Sequence, residues 1–463
     1  MLSKALVNDM ITAALSTGGD FAEVYVEDRL NTNISMVGGK VETGVSGRDW
    51  GIGVRIFNGF NSVYAYTNEH DAEKLIALAR QAAQAIPGSK LQDRTLNFMV
   101  SVGGTLHPIK VYPGDVSHAR KVDVMRLAST AAKEYSPEIS QVTINYADSD
   151  QQVLVANSEG TWAEDRRVRT RLSIEAVASQ GSDLQRGFYG PGALKGFDFF
   201  NDIDVTYYAK EAARMAVTML HAEDAPSGRF PVIIDNEFGG VIFHEACGHG
   251  LEATSVAKKA SVFADKLGEQ IAPSIVTAID DGTPANEWGS INMDDEGTRS
   301  RKNVLIENGV LKGYLIDKLN ARRMGMAPTG SSRRQSYKFA PTSRMTNTYI
   351  AAGDSTPEEI IANTDFAIYA RYMGGGSVQP ATGEYNFAVN EGYIVRNGKI
   401  CEPVRGATLI GTGLDTLKKI DMVGNNLAHG QGMCGSSSGS IPTNVGQPMI
   451  RVSELTVGGR KGR

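Results

Sequence analysis

The chain has 463 residues, 41% hydrophobic and 21% charged, with a formal net charge of −5. That length suits two or three globular domains, and the acidic balance lacks the basic footprint that nucleic-acid binders carry. Three cysteines, Cys247, Cys401 and Cys434, are too sparse and odd in number for a disulfide framework and fit a reducing compartment.

The predicted elements begin with a helix over residues 3–16. Asp9 interrupts its apolar part and the apolar residues recur at helical spacing, which favours an amphipathic helix over a signal peptide. No apolar run approaches the roughly 18 residues of a membrane span. We therefore expect a cytoplasmic protein without a membrane partner. Strand-like runs follow at 22–29, 32–45 and 51–67, then a helix at 71–86. Residues 87–116 carry Pro, Gly and Ser and read as a connector. A second block has a helix at 121–135, strands at 141–160 and 166–180, and a helix at 204–221. The two blocks share an order of elements but no residue-level repeat.

"HAEDAPSGRF" (221–230) reads as a linker, "PVIIDN" (231–236) as a buried strand, and 237–254 as a helix. From 275 onward hairpins dominate, at 303–317 and 385–404. A short helix at 356–363 interrupts them, opened by Thr356 and Pro357. Turn signals stand at Asn58-Gly59, Asp281-Gly282, Asn308-Gly309 and Asn397-Gly398. The final "GGRKGR" (458–463) reads as a solvated tail. The expected class is α+β. A mixed helix/strand region over 1–220, in blocks 1–86 and 117–220, precedes the linker and a β-rich domain over 231–463 that carries the metal-site helix.

That helix contains "HEACGHG", His244 to Gly250. It is the zinc-protease pattern H-E-x-x-H with one residue inserted. On a regular helix His249 would stand beside Glu245 rather than His244. Gly248 and Gly250 weaken a helix and permit unusual backbone angles, so a π-bulge or a helix end at Gly248 could swing His249 back beside His244. Two imidazoles suit zinc, with Glu245 as general base. A third ligand is needed, and the candidates are Cys247, Cys401, Cys434, His429 and the acids. Cys247 could share the His244 face but points away from His249 on most geometries. Cys401 lies in a strand, where a lone Cys is commonly a small core residue. Cys434 sits in "HGQGMCGSSSGS", where small neighbours let a thiolate approach a metal.

Ordered blocks along the chain resemble one family, the TldD/PmbA metallopeptidases. They include "FHEACGHGLE", "DDGT" (280–283), "NVLIENGVLKGYLIDKLNARRMGMAPTG" (303–330), "SRMTNTYI" (343–350), "GGGSVQPATGEYNFAV" (374–389), "EPVRGATLIGTG" (402–413) and "GQGMCGSSSG" (430–439). The metal motif resembles the TldD-type subunit, since PmbA/TldE-type subunits generally lack it. The resemblance implies His244, His249 and Cys434 as metal ligands, with zinc the expected ion. It implies Glu245 as the base that activates a water at the metal, and short or unfolded peptides as substrates. It also implies a heterodimer with a PmbA/TldE-type subunit, or a homodimer. The rivals are a cysteine hydrolase using Cys247 or Cys434, and a non-enzymatic modulator acting indirectly on a nucleic-acid enzyme. Nucleotide binding through Gly374–Gly376 lacks any G-x-x-x-x-G-K-[ST] support. The glycine-rich runs at 374–376 and around Cys434 lead us to expect an edge strand near the metal, open to an extended peptide.

Overall fold

The computed structural model describes residues 2–86, 88, 96–102, 106–379 and 381–460. Parts of the 87–116 connector and the end of the basic tail lie outside the described residues.

The first block is α1 (Lys4–Ala14), β1 (Phe21–Val37), β2 (Lys40–Asn58), β3 (Asn61–Thr67) and α2 (Ala72–Ala83). Ser3 and Asp71 cap the two helices through their side-chain oxygens. The run expected as one strand at 32–45 is two. Gly38 and Gly39, at φ +55° and +80°, make a tight turn inside it, and β1 runs unbroken through Leu30 and Asn31. The next turn also sits one residue later than the Asn58-Gly59 signal. Asn58 pairs with Asn61, and Gly59 opens the turn at φ +59°.

The connector holds β4 (Met99–Val102). The second block is α3 (His118–Lys133), β5 (Ile139–Asn157), β6 (Thr161–Gln180), β7 (Asp183–Tyr189) and α4 (Val205–Leu220). β1 pairs antiparallel with both β2 and β5, so the two blocks share one eight-stranded sheet in the order β3-β2-β1-β5-β6-β4, with β7 and Gly192–Ala193 beside β6. Strand periodicity separates the faces. Even-numbered residues meet the helices. Val24, Val26 and Leu154 pack on Met10 and Leu75, while Met36, Ile144 and Leu172 pack on Met125 and Ala212. Odd-numbered residues meet the C-terminal region, where Tyr25, Val153 and Ala163 pack against Met293 and Tyr337. Buried ion pairs cross the same boundary, Glu23 with Arg334 at 2.8 Å and Arg167 with Asp295 at 2.7 Å.

The C-terminal region is β-rich. Five strands close into a ring by successive pairing: Gly228–Ile234, Phe366–Gln379, Glu384–Arg396, Thr408–Thr412 and Ile450–Gly458. Beside it lies a six-stranded sheet with Ala428–Ser436 at one edge, paired to Gly439–Gln447. The hairpins at Asn308-Gly309 and Asn397-Gly398 have positive φ at both central residues, as type I′ turns require. Asp281-Gly282 makes no hairpin. The Asp281 carboxylate accepts from the Thr283 N–H and hydroxyl, and this local turn launches a long loop instead. The helix Pro357–Ala362 has a full capping box between Thr356 and Glu359.

Candidate metal centre

The segment read as one helix over 237–254 is broken into short pieces. A 3₁₀ turn at Glu237–Gly240 leads into one α turn, Val241–Phe243, then a π turn at His244–Gly248 and a second 3₁₀ turn at His249–Leu251. Its apolar residues Val241, Phe243, Ala246 and Leu251 are buried in a core shared by the strand ring and the six-stranded sheet. The π turn answers the inserted residue. The His249 N–H donates to the His244 carbonyl, five residues back, where an α-helix would reach four. One extra residue per turn therefore places His249 next to His244, with ring centroids 5.2 Å apart and planes at 84°. Gly248 does not supply the unusual backbone angle expected of it. It has φ −55° and ψ −50°, ordinary helical values. Its role is steric, because a Cβ there would lie 2.2 Å from Met345 Sδ.

Nε2 of His244 and Nε2 of His249 each lie 3.2 Å from Cys434 Sγ. All three ligand atoms fall within 4.8 Å of one another, a geometry that could hold one metal ion. The three side chains are buried. Burial alone would push the Cys434 thiol up, but the charge of His244 and the hydrogen bonds from both imidazoles hold it at about 3. For His249, burial pulls the imidazolium down, and the Glu252 carboxylate and Cys434 more than offset this, raising it well above its ordinary value. A thiolate with two imidazoles is a donor set suited to zinc. Glu245 Oε2 lies 3.6 Å from His249 Nε2, and its side chain is 28% exposed against 10% for His249. The carboxylate thus stands at the open side of the cluster.

The other third-ligand candidates are placed elsewhere. Cys247 is packed in the apolar core, and burial raises its thiol far above the usual range. Cys401 Sγ donates to the Lys399 carbonyl in its own strand. His429 stands 3.7 Å from Glu287 and against Tyr349.

Two residues that sequence reasoning missed complete the cluster. A Glu252 oxygen lies 3.2 Å from His249 Nδ1, which turns Nε2 toward Cys434. Arg344, fully buried, stands 3.9 Å from the other Glu252 oxygen. Its guanidinium donates to the Cys434 carbonyl, to Ser438 Oγ at 2.8 Å and to the Gly439 carbonyl at 2.9 Å. It links the residue that orients one histidine to the hairpin that bears the thiol. Glu252 follows His249 by three positions, a spacing visible in the sequence. Nothing local to Arg344 announces its role.

A cavity of about 770 Å³ lies on the strand ring and contains none of these residues. A smaller cleft of about 280 Å³ runs between Gly374–Gly375 and Gly430–Met433, next in sequence to Cys434. The edge strand expected to receive a peptide has several of its carbonyls engaged by side chains. The Gly432 carbonyl accepts from Trp288 Nε1, Gln431 from Arg171, and Cys434 from Arg344. The facing run differs. Pairing between Phe366–Gln379 and Glu384–Arg396 shifts register between Met373 and Gly376, so Gly374 and Gly375 lack a register partner.

Three domain models of one family match the chain: PmbA/TldA metallopeptidase domain 1 at 22–86, the central domain at 111–220 and the C-terminal domain at 227–459. A curated relative named metalloprotease TldD homolog, from Haemophilus influenzae, is 36% identical and the match covers 95% of this chain and 93% of the relative. A zinc metalloprotease TldD homolog from Saccharolobus solfataricus is 28% identical, over 73% of this chain and 76% of that one. Among solved structures, TldE from Thermococcus kodakarensis shares the fold with a TM-score of 0.75 at 18% identity, covering 98% of this chain and all of its own.

Proposed function

This chain belongs to the PmbA/TldD metallopeptidase family, and from that premise we propose that it is a metal-dependent peptidase acting on short or unfolded peptides. The observation that carries the reading is the convergence of His244, His249 and Cys434, with Glu245 beside them. These three residues would hold the ion, and zinc is the metal that their chemistry and one relative's name support. When bound, such an ion polarises the scissile carbonyl and eases deprotonation of the attacking water. Glu245 takes that water's proton and returns it to the leaving amine. Glu252 and Arg344 hold His249 and Cys434 in place meanwhile.

The working assembly is a heterodimer with a PmbA/TldE-type subunit, or a homodimer, in the cytoplasm. The TldE fold match supports the first arrangement. Among the described residues no helix is long and apolar enough to cross a membrane. The test is to purify the native complex, quantify its metal, and follow an unfolded polypeptide by mass spectrometry. Cleavage that a chelator stops and zinc restores is the expected result. Cleavage indifferent to chelation but stopped by thiol alkylation would replace this reading with a cysteine hydrolase.

A further inference from the structure

The cleft beside Cys434 has one aromatic wall. The rings of Phe238 and Tyr372 stack at 6.4 Å between centroids, and Tyr189 lies 5.5 Å from Tyr372. Glu237 stands on the same wall. Its half-buried carboxylate accepts from the Tyr189 hydroxyl at 2.5 Å, and no cationic side chain among the described residues forms an ion pair with it. The charges that act on it, Asp235 and Glu211, are negative, and with burial they raise its carboxyl above the usual range. Arg171 also lines the cleft, but its guanidinium is engaged by the Gly190 and Gln431 carbonyls and lies over Trp288.

The backbone sharpens the point. Glu237 sits at φ +53°, a conformation that glycine adopts freely and a side-chain residue adopts at a cost. Glycine would build the same 3₁₀ turn without strain, so what glutamate adds there is the carboxylate. Strain of this kind concentrates at functional sites. An uncompensated carboxylate beside aromatic faces is a recognition unit for a cation. At about 280 Å³ the cleft holds one residue of a ligand rather than a whole one.

We propose that this cleft is a substrate subsite that reads a positive charge on the peptide, with Glu237 as the charged contact and Phe238 and Tyr372 as the apolar wall. The inference rests on the peptidase reading of the metal centre. A strand advances about 3.3 Å per residue, so Gly432 and Gly430 stand about 7 and 13 Å along the strand from Cys434. The charge therefore belongs two to four residues from the cleaved bond. Two parts of a peptide offer it, a lysine or arginine side chain and a free α-amino group.

Three peptides of otherwise identical neutral sequence, labelled at the C-terminus, separate these sources. One is N-acetylated with a single lysine, one has a free amine and no lysine, and one is N-acetylated with norleucine in the lysine position. Each is titrated by fluorescence anisotropy against the metal-loaded wild type, E237Q and E237G, and cleavage is followed in parallel. E237G suits the local φ, so it keeps a folded control should E237Q misfold. The wild type is expected to bind at least one cationic peptide about tenfold more tightly than the neutral one, and the preferred peptide names the source. Both variants should close that gap. Equal binding of all three peptides by the wild type, or a gap that survives in E237Q and E237G, would overturn the subsite. Charge-selective binding without any cleavage would leave the subsite standing and remove the peptidase reading. Cleavage indifferent to charge would do the reverse.

Discussion

The Glu252 carboxylate lies 3.2 Å from Nδ1 of His249, and both side chains are buried. A carboxylate there fixes the ring orientation that turns Nε2 toward Cys434. Loss of such a partner typically weakens metal binding by about 10–100-fold. Glu252→Ala is therefore expected to lower zinc affinity in that range, measured by competition with a chromophoric chelator, and Glu252→Gln to recover part of it. An affinity unchanged in Glu252→Ala would show that packing alone orients His249.

Cys434, Cys247 and Cys401 make a matched set for the metal assignment. Only Cys434 Sγ lies with the two imidazoles, while Cys247 is in the core and Cys401 faces its own strand. Cys434→Ser should hold clearly less metal than the wild type, and Cys401→Ser should hold the same amount. In cobalt-substituted protein the thiolate charge-transfer band should vanish only with Cys434→Ser. Equal metal content and equal spectra in the two variants would remove Cys434 from the ligand set.

Glu245 should separate catalysis from binding. Its carboxylate is beside the cluster rather than among the three converging ligand atoms. Glu245→Gln is expected to reduce peptide cleavage by about 10²–10⁴-fold while keeping the metal. Loss of the ion in that variant would make Glu245 a ligand, and full activity would place the base elsewhere.

Much of this centre was legible because it is local. The pattern "HEACGHG" carries both histidines and Glu245, and the inserted residue pointed to a bulge that the π turn realises. The helix cap at Thr356 and the turns at Asn308 and Asn397 were readable for the same reason. What escaped depends on distant packing. Gly248 makes room for Met345, ninety-seven positions away in sequence, and its own backbone is ordinary helix. Arg344 acquires its role only when two separate segments meet on it. β4 inside the connector has four residues and gains its identity by parallel pairing with β6. The side chains that engage carbonyls of the Cys434 strand are Arg171, Trp288 and Arg344, which no local pattern foretells.

Asp280 makes a pH test of stability. It is 1% exposed and accepts from the Thr346 N–H, the Thr346 hydroxyl and the Thr348 hydroxyl. Burial nonetheless pushes its carboxyl up to about 6. Between the unfolded value near 3.9 and this one, the folded state binds more protons than the unfolded state. This group's contribution therefore falls as pH rises through that window, by about 3 kcal/mol in all, and the cost is complete above it. Asp280→Asn removes the titration. The stability of the wild type minus that of the variant, from urea unfolding, should drop by roughly that amount from pH 4 to pH 7. A difference that stays constant with pH would mean that Asp280 titrates normally.

The last prediction concerns the peptide's backbone. The thiol-bearing strand has its carbonyls at Gly432 and Cys434 already occupied, so it is a poor template for an added strand. Gly374 and Gly375 face the same cleft without register partners, and a Cβ built at Gly375 would meet nothing within 4 Å. They line that cleft opposite Gly430–Met433. An extended peptide pairing with them would use alternate residues, following the strand period of two. Scanning N-methylation along a cleaved peptide should therefore abolish cleavage at a few alternating positions and leave the others nearly unaffected. Gly375→Ala should be tolerated, because the space is open, whereas Gly375→Pro removes a donor and should raise KM strongly while metal content stays constant. Folded proteins keep their backbone groups paired internally and should be cut far more slowly than the same chains unfolded. Uniform tolerance of N-methylation, together with a Gly375→Pro variant of unchanged KM, would show that the peptide is held by its side chains instead.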